Sequence, residues 1–459
     1  MDIFRTKKPT TEAHADPSAL RRCLTATDLT LMGIGVIIGA GVFVLTGIAA
    51  ATKAGPAIML SYVVAGLASM FAALTYAELA TSIGGCGSAY NYTYAGFGEL
   101  IAWIIGWNLL FEYTLAVSTV AIGWSGYVND ALIAFHLHLP HALLKSPQEG
   151  GVINLPSVLI IALLGSLLYA GIKQSTRFNA IIVFIKLITI AIFIGIAVRH
   201  VNPVNWQNFF PFGWLGVTQG AALVFYAYIG FDALSTAAEE TINPQHTLPI
   251  GITLSVMICA VIYVIVAGLL TSVVPYTTLN VQAPVADALL HLGYRIGAGI
   301  VAVGAIAGLT TVMLIMYYGL SRVLLAISRD GLLPSVFAKI NPRTKTPTTT
   351  IVLSGIIIAA LAGFLPLNEA AELVNIGTLA AFTIVCAGAI LLRYTQPNLP
   401  RPFKLPFHPL IPVLGIIFCV ALMLNLPAIT WWRFVIWIIL GFVIYFVYSY
   451  KHSLLNQSR

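Results

Sequence analysis

The sequence predicts an all-α protein embedded in a membrane, and three observations carry this prediction. Of its 459 residues, 59% are apolar and only 8% are charged, whereas about 25% of residues are charged in soluble domains. The mean hydropathy is +0.93. Glu112, Lys186 and Asp232 are charged residues inside segments that are otherwise apolar enough to cross a bilayer. Such residues usually face a cavity or a partner, because a charge near the bilayer centre costs about 2.5–3.5 kcal/mol on insertion scales.

Twelve apolar segments follow one another along the chain. A helix needs about 20 apolar residues to span the hydrocarbon core. Charges, prolines and glycines divide the sequence into segments near residues 29–50, 56–82, 97–126, 153–171, 178–198, 214–238, 248–272, 296–326, 349–365, 370–392, 408–427 and 431–450. The connections between them are too short for a soluble domain. We therefore predict twelve transmembrane helices that carry the function themselves.

The basic residues predict the orientation. Twelve spans place both termini on one side of the membrane. With the N-terminus inside, seventeen of the 23 Lys and Arg residues face the cytoplasm and five face outward, with Lys186 left in the bilayer. This bias predicts cytoplasmic termini. Residues 1–27 have no apolar run and are expected to be a cytoplasmic tail rather than a signal peptide.

Several other classes of protein do not fit. The five cysteines are scattered without CxxC spacing, which argues against a disulfide framework or a zinc site. The net charge of +7 is spread over short loops, so no nucleic-acid partner is expected. Intramembrane enzymes need elements such as HExxH or GxSxG, and neither is present. His136, His138 and His141 crowd one outer loop, which we interpret as solvated rather than metal-binding. We expect neither catalysis, a bound metal nor another cofactor.

The first span is rich in small residues. It contains Gly33, Gly35, Gly39, Ala40 and Gly41, although glycine costs about 1 kcal/mol relative to alanine inside a helix. Close helix packing through Gly35 and Gly39, four residues apart, is one interpretation. An interrupted helix is the other.

The sixth span favours the interrupted helix. There Gly230 precedes Phe231 and Asp232 in the middle of an apolar segment. Broken helices at corresponding positions of two halves indicate the substrate site of an inverted-repeat transporter. Unwinding near Gly39–Gly41 would expose amides that attract a carboxylate, and unwinding near Gly230 would expose carbonyls that accept from an ammonium. Together they suit the zwitterion common to α-amino acids. The set of breaks is asymmetric, unlike the rings of a channel.

Several motifs then identify a family. They are Gly87-Ser-Ala-Tyr90-Asn-Tyr-Thr-Tyr94, Gly98-Glu99-Leu, Gly106-Trp107-Asn108, Ile229-Gly230-Phe231-Asp232 and Ser328-Arg329-Asp330-Gly331-Leu-Leu-Pro334. With these motifs the sequence resembles the amino acid–polyamine–organocation superfamily, and within it bacterial members of the cationic amino acid transporter family, over about residues 20–450. It implies alternating access in a fold of five plus five inverted helices with two more appended. The corresponding parts are 28–200, 201–393 and 394–459, the last ending in a short cytoplasmic C-terminus.

The resemblance also implies a substrate site. Backbone amides of the first break would bind the substrate carboxylate: Gly39, Ala40, Gly41 and Val42. Backbone carbonyls would bind the ammonium: Ile37, Tyr226 and Ile229. Tyr226 and Phe231 would act as aromatic gates.

Lys186 is expected to couple transport to protons. Some proton-coupled relatives have a lysine near the place that sodium occupies in sodium-coupled members of the fold. With first-helix backbone and a hydroxyl of Thr310 or Thr311, this titratable cation would replace the metal. The alternative is a lysine that snorkels to an interface.

The residues of the side-chain pocket fit more than one class of amino acid substrate. Glu112 either balances a cationic side chain or pairs with a neighbouring helix. Met316 lies where arginine-transporting animal members have a small residue, so it would narrow the pocket, although methionine often only fills space. Gly230 and Asp232 are expected to support the helix break. The expected substrates are small neutral L-amino acids such as alanine, cationic ones such as arginine, or both.

We thus predict a proton-coupled symporter in a bacterial plasma (inner) membrane. The alternatives are a pH-independent cationic facilitator or exchanger, or a non-transporting sensor of the same fold. Residues 127–152 contain no cysteine, so no disulfide-linked heavy chain is expected. A noncovalent small membrane subunit or a bound lipid is left open as a partner beside the bilayer itself.

Overall fold

A computed structural model describes residues 24–83, 88–134, 136–137, 139–170, 176–235, 237, 241–341, 344 and 346–454. Most of the predicted tail, together with Gly87 and His138, lies outside this part. Within it, all regular structure is helical apart from one bridge between Leu24 and Thr241. The α-helices are α1 Ala26–Ile37, α2 Thr46–Ala49, α3 Ile58–Ser82, α4 Ala89–Phe97, α5 Glu99–Ala134, α6 Leu155–Tyr169, α7 Thr176–Ala197, α8 Gly213–Val224, α9 Phe231–Ser235, α10 Pro244–Val273, α11 Pro284–His291, α12 Arg295–Arg329, α13 Thr348–Phe364, α14 Leu367–Thr395, α15 Leu410–Leu424, α16 Ala428–Ile444 and α17 Tyr450–His452.

The helices form a multi-pass membrane protein. In the described ranges, eight helical stretches are long and apolar enough to cross a membrane. The first of them, Ala26–Ser82, contains both α1 and α3. Three shorter apolar helices are α6, α13 and α15. Large apolar side chains cover the outer faces, for example Phe184 on α7 and Ile296 on α12, which are 64% and 83% exposed. Such surfaces suit lipid rather than water.

Two short helices lie in connections that the sequence analysis treats as loops. Helix α4 follows α3 and packs against α5 and α14, and α11 precedes α12 and packs against it. Neither is long enough to span a bilayer. The count of twelve spans and the internal repeat stay predictions.

Helix α1 is interrupted in the middle of the membrane-spanning segment. It begins at a capping box, in which Thr25 accepts from the Asp28 amide and the Asp28 side chain accepts from the Thr25 amide. It ends at Ile37, and Ile38 is extended with ψ 98°. Helical structure resumes with a π-turn at Gly41–Leu45 and continues through α2. The break therefore spans residues 38–40.

Helix α8 is interrupted in a similar way. It passes into a 3₁₀ turn at Phe225–Tyr228, after which Ile229 is extended with ψ 142°. Gly230 then has φ +113°, which L side chains rarely adopt, and a Cβ there would overlap the side chain of Val36. The chain re-enters a helix at Phe231. Because Gly230 contacts Val36, the two breaks lie against each other.

The breaks lie between two groups of packed helices. Helix α10 packs against α1 and α3, and α3 packs against α8. On the other side, the long helix α5 packs along α12 and α14, and α12 also contacts α1 and α7. The space between the breaks and the pair α5–α12 is the place for a site.

Candidate functional site

A small cavity lies between the two helix breaks and the facing helices α5 and α12. The empty space between them, including the part that opens to solvent, amounts to about 260 Å³. Its walls consist of Val36, Ile37, Gly39, Ala40, Gly41, Ala116, Val120, Tyr226, Ile229, Val312 and Met316. The cavity thus lies where both helix breaks meet α5 and α12.

The first break contributes backbone amides. Gly39, Ala40 and Gly41 line the cavity, and Val42 is the next residue along the chain. The first amides of a helix have no partner within it, and they favour an anion. Gly41 is required for close approach, because a Cβ there would overlap the backbone of Ala227. The arrangement can receive a carboxylate.

The second break and the end of α1 contribute carbonyls. Ile37, Tyr226 and Ile229 all line the cavity. The Tyr263 hydroxyl lies 2.7 Å from the Ile37 carbonyl oxygen and 3.0 Å from that of Ala227. A carbonyl oxygen has two lone pairs, so the Ile37 oxygen retains acceptor capacity beside the Tyr263 bond. These groups can receive an ammonium close to the amide end.

The two predicted gate residues lie in different surroundings. Tyr226 lines the cavity, and its hydroxyl donates to the Ala116 carbonyl at 3.1 Å. Phe231 is fully buried away from the cavity wall, with its ring centroid 5.7 Å from that of Tyr76 and 5.0 Å from that of Phe382. Tyr226 therefore lies at the cavity and Phe231 does not, and the gating roles of both residues stay predictions.

The remaining wall is apolar and was only partly foreseen. Met316 lines the cavity, as the sequence analysis suggests, but Ala116, Val120 and Val312 were missed. Helical periodicity could have indicated them, since Ala116 and Val120 lie one and two turns after Glu112, and Val312 lies one turn before Met316. The wall carries no charged side chain. This part of the cavity suits an uncharged, apolar group.

Lys186 lies behind the first break rather than in the cavity wall. Its side chain is fully buried on α7, and its Nζ donates to the carbonyls of Gly35 at 2.7 Å and Ile38 at 2.9 Å. The missing side chain of Gly308 on α12 makes room for the lysine stem. A cation at this point complements the C-terminal end of α1, where carbonyls lack intrahelical partners.

Thr310 and Thr311 direct their hydroxyls elsewhere. Thr310 donates to the Ile306 carbonyl at 2.7 Å and accepts from the Trp124 indole at 3.0 Å. Thr311 donates to the Gly308 carbonyl at 2.8 Å. The structure thus joins Lys186 to the first-helix backbone, whereas its proposed bond to a threonine hydroxyl stays a prediction.

Glu112 and Asp232 lie together beyond one end of the cavity. Both are buried, and neither contributes to its wall. Asp232 accepts from the Tyr113 hydroxyl at 3.0 Å on the first turn of α9, directly after Gly230. Within the described ranges, no cluster of three or more His, Cys, Asp or Glu side chains could hold a metal ion.

Comparisons with known proteins identify the family. The family described as amino acid permease matches residues 24–445. The chain is 49% identical to the branched-chain amino acid permease BcaP of Bacillus subtilis (strain 168) and 48% identical to the methylthioribose transporter of the same organism, with 99% of each chain covered in both cases. It is also 37% identical to cationic amino acid transporter 4 of Mus musculus, over 86% of this chain and 63% of the relative.

The predicted resemblance is therefore confirmed. The described part of the chain is helical and crosses the membrane several times, and its two helix breaks surround a small cavity. The family match covers nearly the whole length and agrees with both observations. The chain belongs to the amino acid permease family.

Proposed function

We propose that the protein is a secondary active transporter that carries neutral L-amino acids with small or apolar side chains, together with protons, by alternating access. The observation that carries the proposal is the cavity between the two helix breaks, with backbone groups at one end and an apolar wall at the other. The twelve spans, the five-plus-five repeat and cytoplasmic termini in a bacterial plasma membrane are parts of the same proposal.

Recognition would divide between the two ends of the cavity. The amides of Gly39–Gly41 would bind the carboxylate and the carbonyls of Ile37, Tyr226 and Ile229 the ammonium, so that any L-amino acid backbone could bind. The wall of Ala116, Val120, Val312 and Met316 would then select the side chain. Burying each CH₂ contributes about 0.8 kcal/mol, so an apolar side chain that fits gains affinity.

A cationic side chain is disfavoured by the same wall. Taking an unpaired ion out of water costs several kcal/mol in proteins. Glu112 was weighed as a counter-charge, but it lies outside the cavity wall. We therefore favour alanine and branched-chain substrates over arginine and lysine. The name of one close relative, a branched-chain amino acid permease, supports this choice.

Proton coupling is proposed through Lys186. A charged Lys186 holds the carbonyls of Gly35 and Ile38, and loss of its proton would weaken both bonds. The break beside the substrate would then change its geometry with the protonation state. No sodium ion is needed in this scheme.

The test is uptake into proteoliposomes that contain the purified protein. Labelled alanine and leucine would be offered without sodium, with and without an imposed inward proton gradient, and with arginine or methylthioribose as competitors. We expect gradient-stimulated accumulation that unlabelled leucine inhibits and arginine does not. Methylthioribose lacks the carboxylate and ammonium for which the backbone groups are proposed, so strong inhibition by it would contradict the recognition scheme.

The alternatives give different results. A cationic facilitator or exchanger would take up arginine regardless of the gradient. A sensor of the same fold would bind amino acids without net flux. Either result would overturn the proposal.

A further inference from the structure

A second polar site lies around Glu112, outside the substrate cavity. Glu112 precedes the cavity residue Ala116 by one turn of α5. Its side chain is 0% exposed, and in the part of the chain that the structure describes neither carboxylate oxygen makes a hydrogen bond. Buried polar atoms are almost always partnered, so both oxygens require an explanation.

The neighbours of Glu112 offer oxygens rather than cations. Asp232 on α9 is 1% exposed, and Tyr113 donates to it. Tyr76 on α3 and Tyr92 on α4 are buried with hydroxyls that have no partner among the described residues, and their ring centroids lie 5.9 Å apart. The Tyr76 ring packs against Phe231, the residue before Asp232, with ring centroids 5.7 Å apart. Tyr113, which donates to Asp232, directly follows Glu112, so the four side chains lie in one cluster.

The other elements around the cluster bring no positive charge. Helix α14 contributes the Thr378 hydroxyl, which lies near Glu112 but donates to the Val374 carbonyl at 3.0 Å. It also contributes the Phe382 ring, which packs against Tyr76. None of the ion pairs in the described ranges involves Glu112 or Asp232. Lys186 is bonded to α1 instead.

Electrostatics restrict what can occupy such a site. An isolated ionised carboxylate is very costly to bury, and two neighbouring carboxylates without a cation cannot both be ionised. A proton removes one charge and also supplies an O–H donor for a neighbouring oxygen. A bound proton therefore accounts both for the uncompensated charge of the two carboxylates and for their oxygens without hydrogen bonds.

We propose that Glu112 and Asp232 form a proton-binding site that is separate from Lys186 and from the substrate cavity. The two acids lie on helices of very different length. Glu112 belongs to the 36-residue helix α5, whereas Asp232 belongs to the five-residue helix α9 that follows the break at Gly230. A movement of α9 would separate the pair, admit water and release the proton. The use of this proton in transport rests on the proposed function, whereas the binding of the proton to Glu112 and Asp232 does not.

The binding of the proton is tested by infrared difference spectroscopy on the purified full-length protein. A protonated carboxyl group gives a carbonyl stretching band that a carboxylate lacks. We expect this band in the wild type at neutral pH, its loss in Glu112→Gln, and its loss or shift in Asp232→Asn. A band that persists unchanged in Glu112→Gln, or is missing from the wild type, would overturn the proposal.

Glu99→Gln is the matched control. Glu99 lies on the same helix and is 2% exposed, but its oxygens accept from the hydroxyls of Tyr94, Tyr445 and Ser453. The Glu99 oxygens therefore already have the hydrogen-bond partners that those of Glu112 lack. We expect the band to survive in this variant, and its loss there instead of in Glu112→Gln would assign the proton to Glu99 and overturn the proposal.

A metal ion is the competing occupant. Thermal unfolding of wild type and Glu112→Gln would be compared in sodium and in choline buffers. Equal midpoints in the two buffers support the proton. Stabilisation of the wild type by sodium that Glu112→Gln lacks would show a sodium site and overturn the proposal.

Transport adds a functional readout. Glu112→Gln imitates a permanently protonated acid, so we expect it to retain substrate exchange across the membrane but to lose gradient-driven accumulation. Full accumulation in this variant would contradict a role in coupling. If the wild type itself transported nothing, the proposed function would fail while the infrared result would still decide whether the proton is bound.

Discussion

Replacing Met316 by serine tests the assignment of the side-chain pocket most directly. Met316 is 3% exposed and lines the cavity opposite the two helix breaks. The substitution shortens the side chain and places a hydroxyl where the wall was apolar. Longer and more polar substrates should then bind more tightly, while apolar substrates should bind more weakly because they lose contacts.

The size of both effects can be worked out from the chemistry. Hydrogen bonds that involve a charged group contribute about 1.5–3 kcal/mol, which corresponds to about 10- to 150-fold tighter inhibition by arginine. Removing contacts equivalent to one or two methylene groups weakens leucine binding by about 0.8–1.6 kcal/mol, or about 4- to 15-fold. The preference for leucine over arginine should therefore fall by about 40- to 2,000-fold.

The assay is inhibition of labelled leucine and alanine uptake by unlabelled arginine in proteoliposomes. Met316→Leu is the control, because volume-conserving apolar substitutions usually cost less than about 1.5 kcal/mol and add no polar atom. Met316→Leu should keep the wild-type order of substrates. If a folded Met316→Ser protein has the same arginine inhibition as the wild type, Met316 does not limit the pocket and the recognition scheme is wrong.

Three further predictions concern coupling, the second break and acid stability. Lys186→Met should abolish pH-driven accumulation in proteoliposomes, and unaltered uphill uptake would contradict the assigned coupling role. Gly230→Ala should lower the free energy of unfolding by about 2–6 kcal/mol, because backbone strain and overlap with Val36 add; thermal unfolding should show no such loss for Gly299→Ala, where the added methyl group meets nothing within 4 Å. Burial and nearby arginines lower the pKa of His408, in the loop before α15, below its ordinary value of 6.5. The unfolded chain then binds the proton more readily, so stability should fall as the pH drops below 6.5, and His408→Gln should flatten that dependence in pH-dependent melting curves.

The helix breaks could be predicted because their residues conflict with their surroundings. Gly39, Gly41 and Gly230 interrupt segments that otherwise favour continuous helix, and Asp232 is a charge in an apolar span. The structure gives two of these glycines a reason, since a Cβ on Gly41 would overlap Ala227 and Gly230 has a positive φ against Val36. The residue types alone were therefore sufficient to predict the two helix breaks.

The apolar wall and the polar partners could not be predicted in the same way. Ala116, Val120 and Val312 are as apolar as the lipid-facing positions around them, so their residue types give no signal and only their helical spacing from Glu112 and Met316 does. The partners of Lys186 are backbone carbonyls, which every residue possesses and no motif records. Glu112 was conspicuous as a residue type, yet its neighbours come from four other helices far apart in the chain.

The Tyr263 hydroxyl has a mechanical consequence. It lies within hydrogen-bonding distance of Ile37 in one break and Ala227 in the other, and Gly41 rests on that same Ala227. Neither broken helix can tilt alone without separating these contacts. The two interruptions should therefore share a single degree of freedom, moving as one rigid body against α5 and α12. A solute bound between them would then contact a preformed unit. The conformational change that opens the site to one side of the membrane or the other would occur where the outer surfaces of this unit pack against α5 and α12.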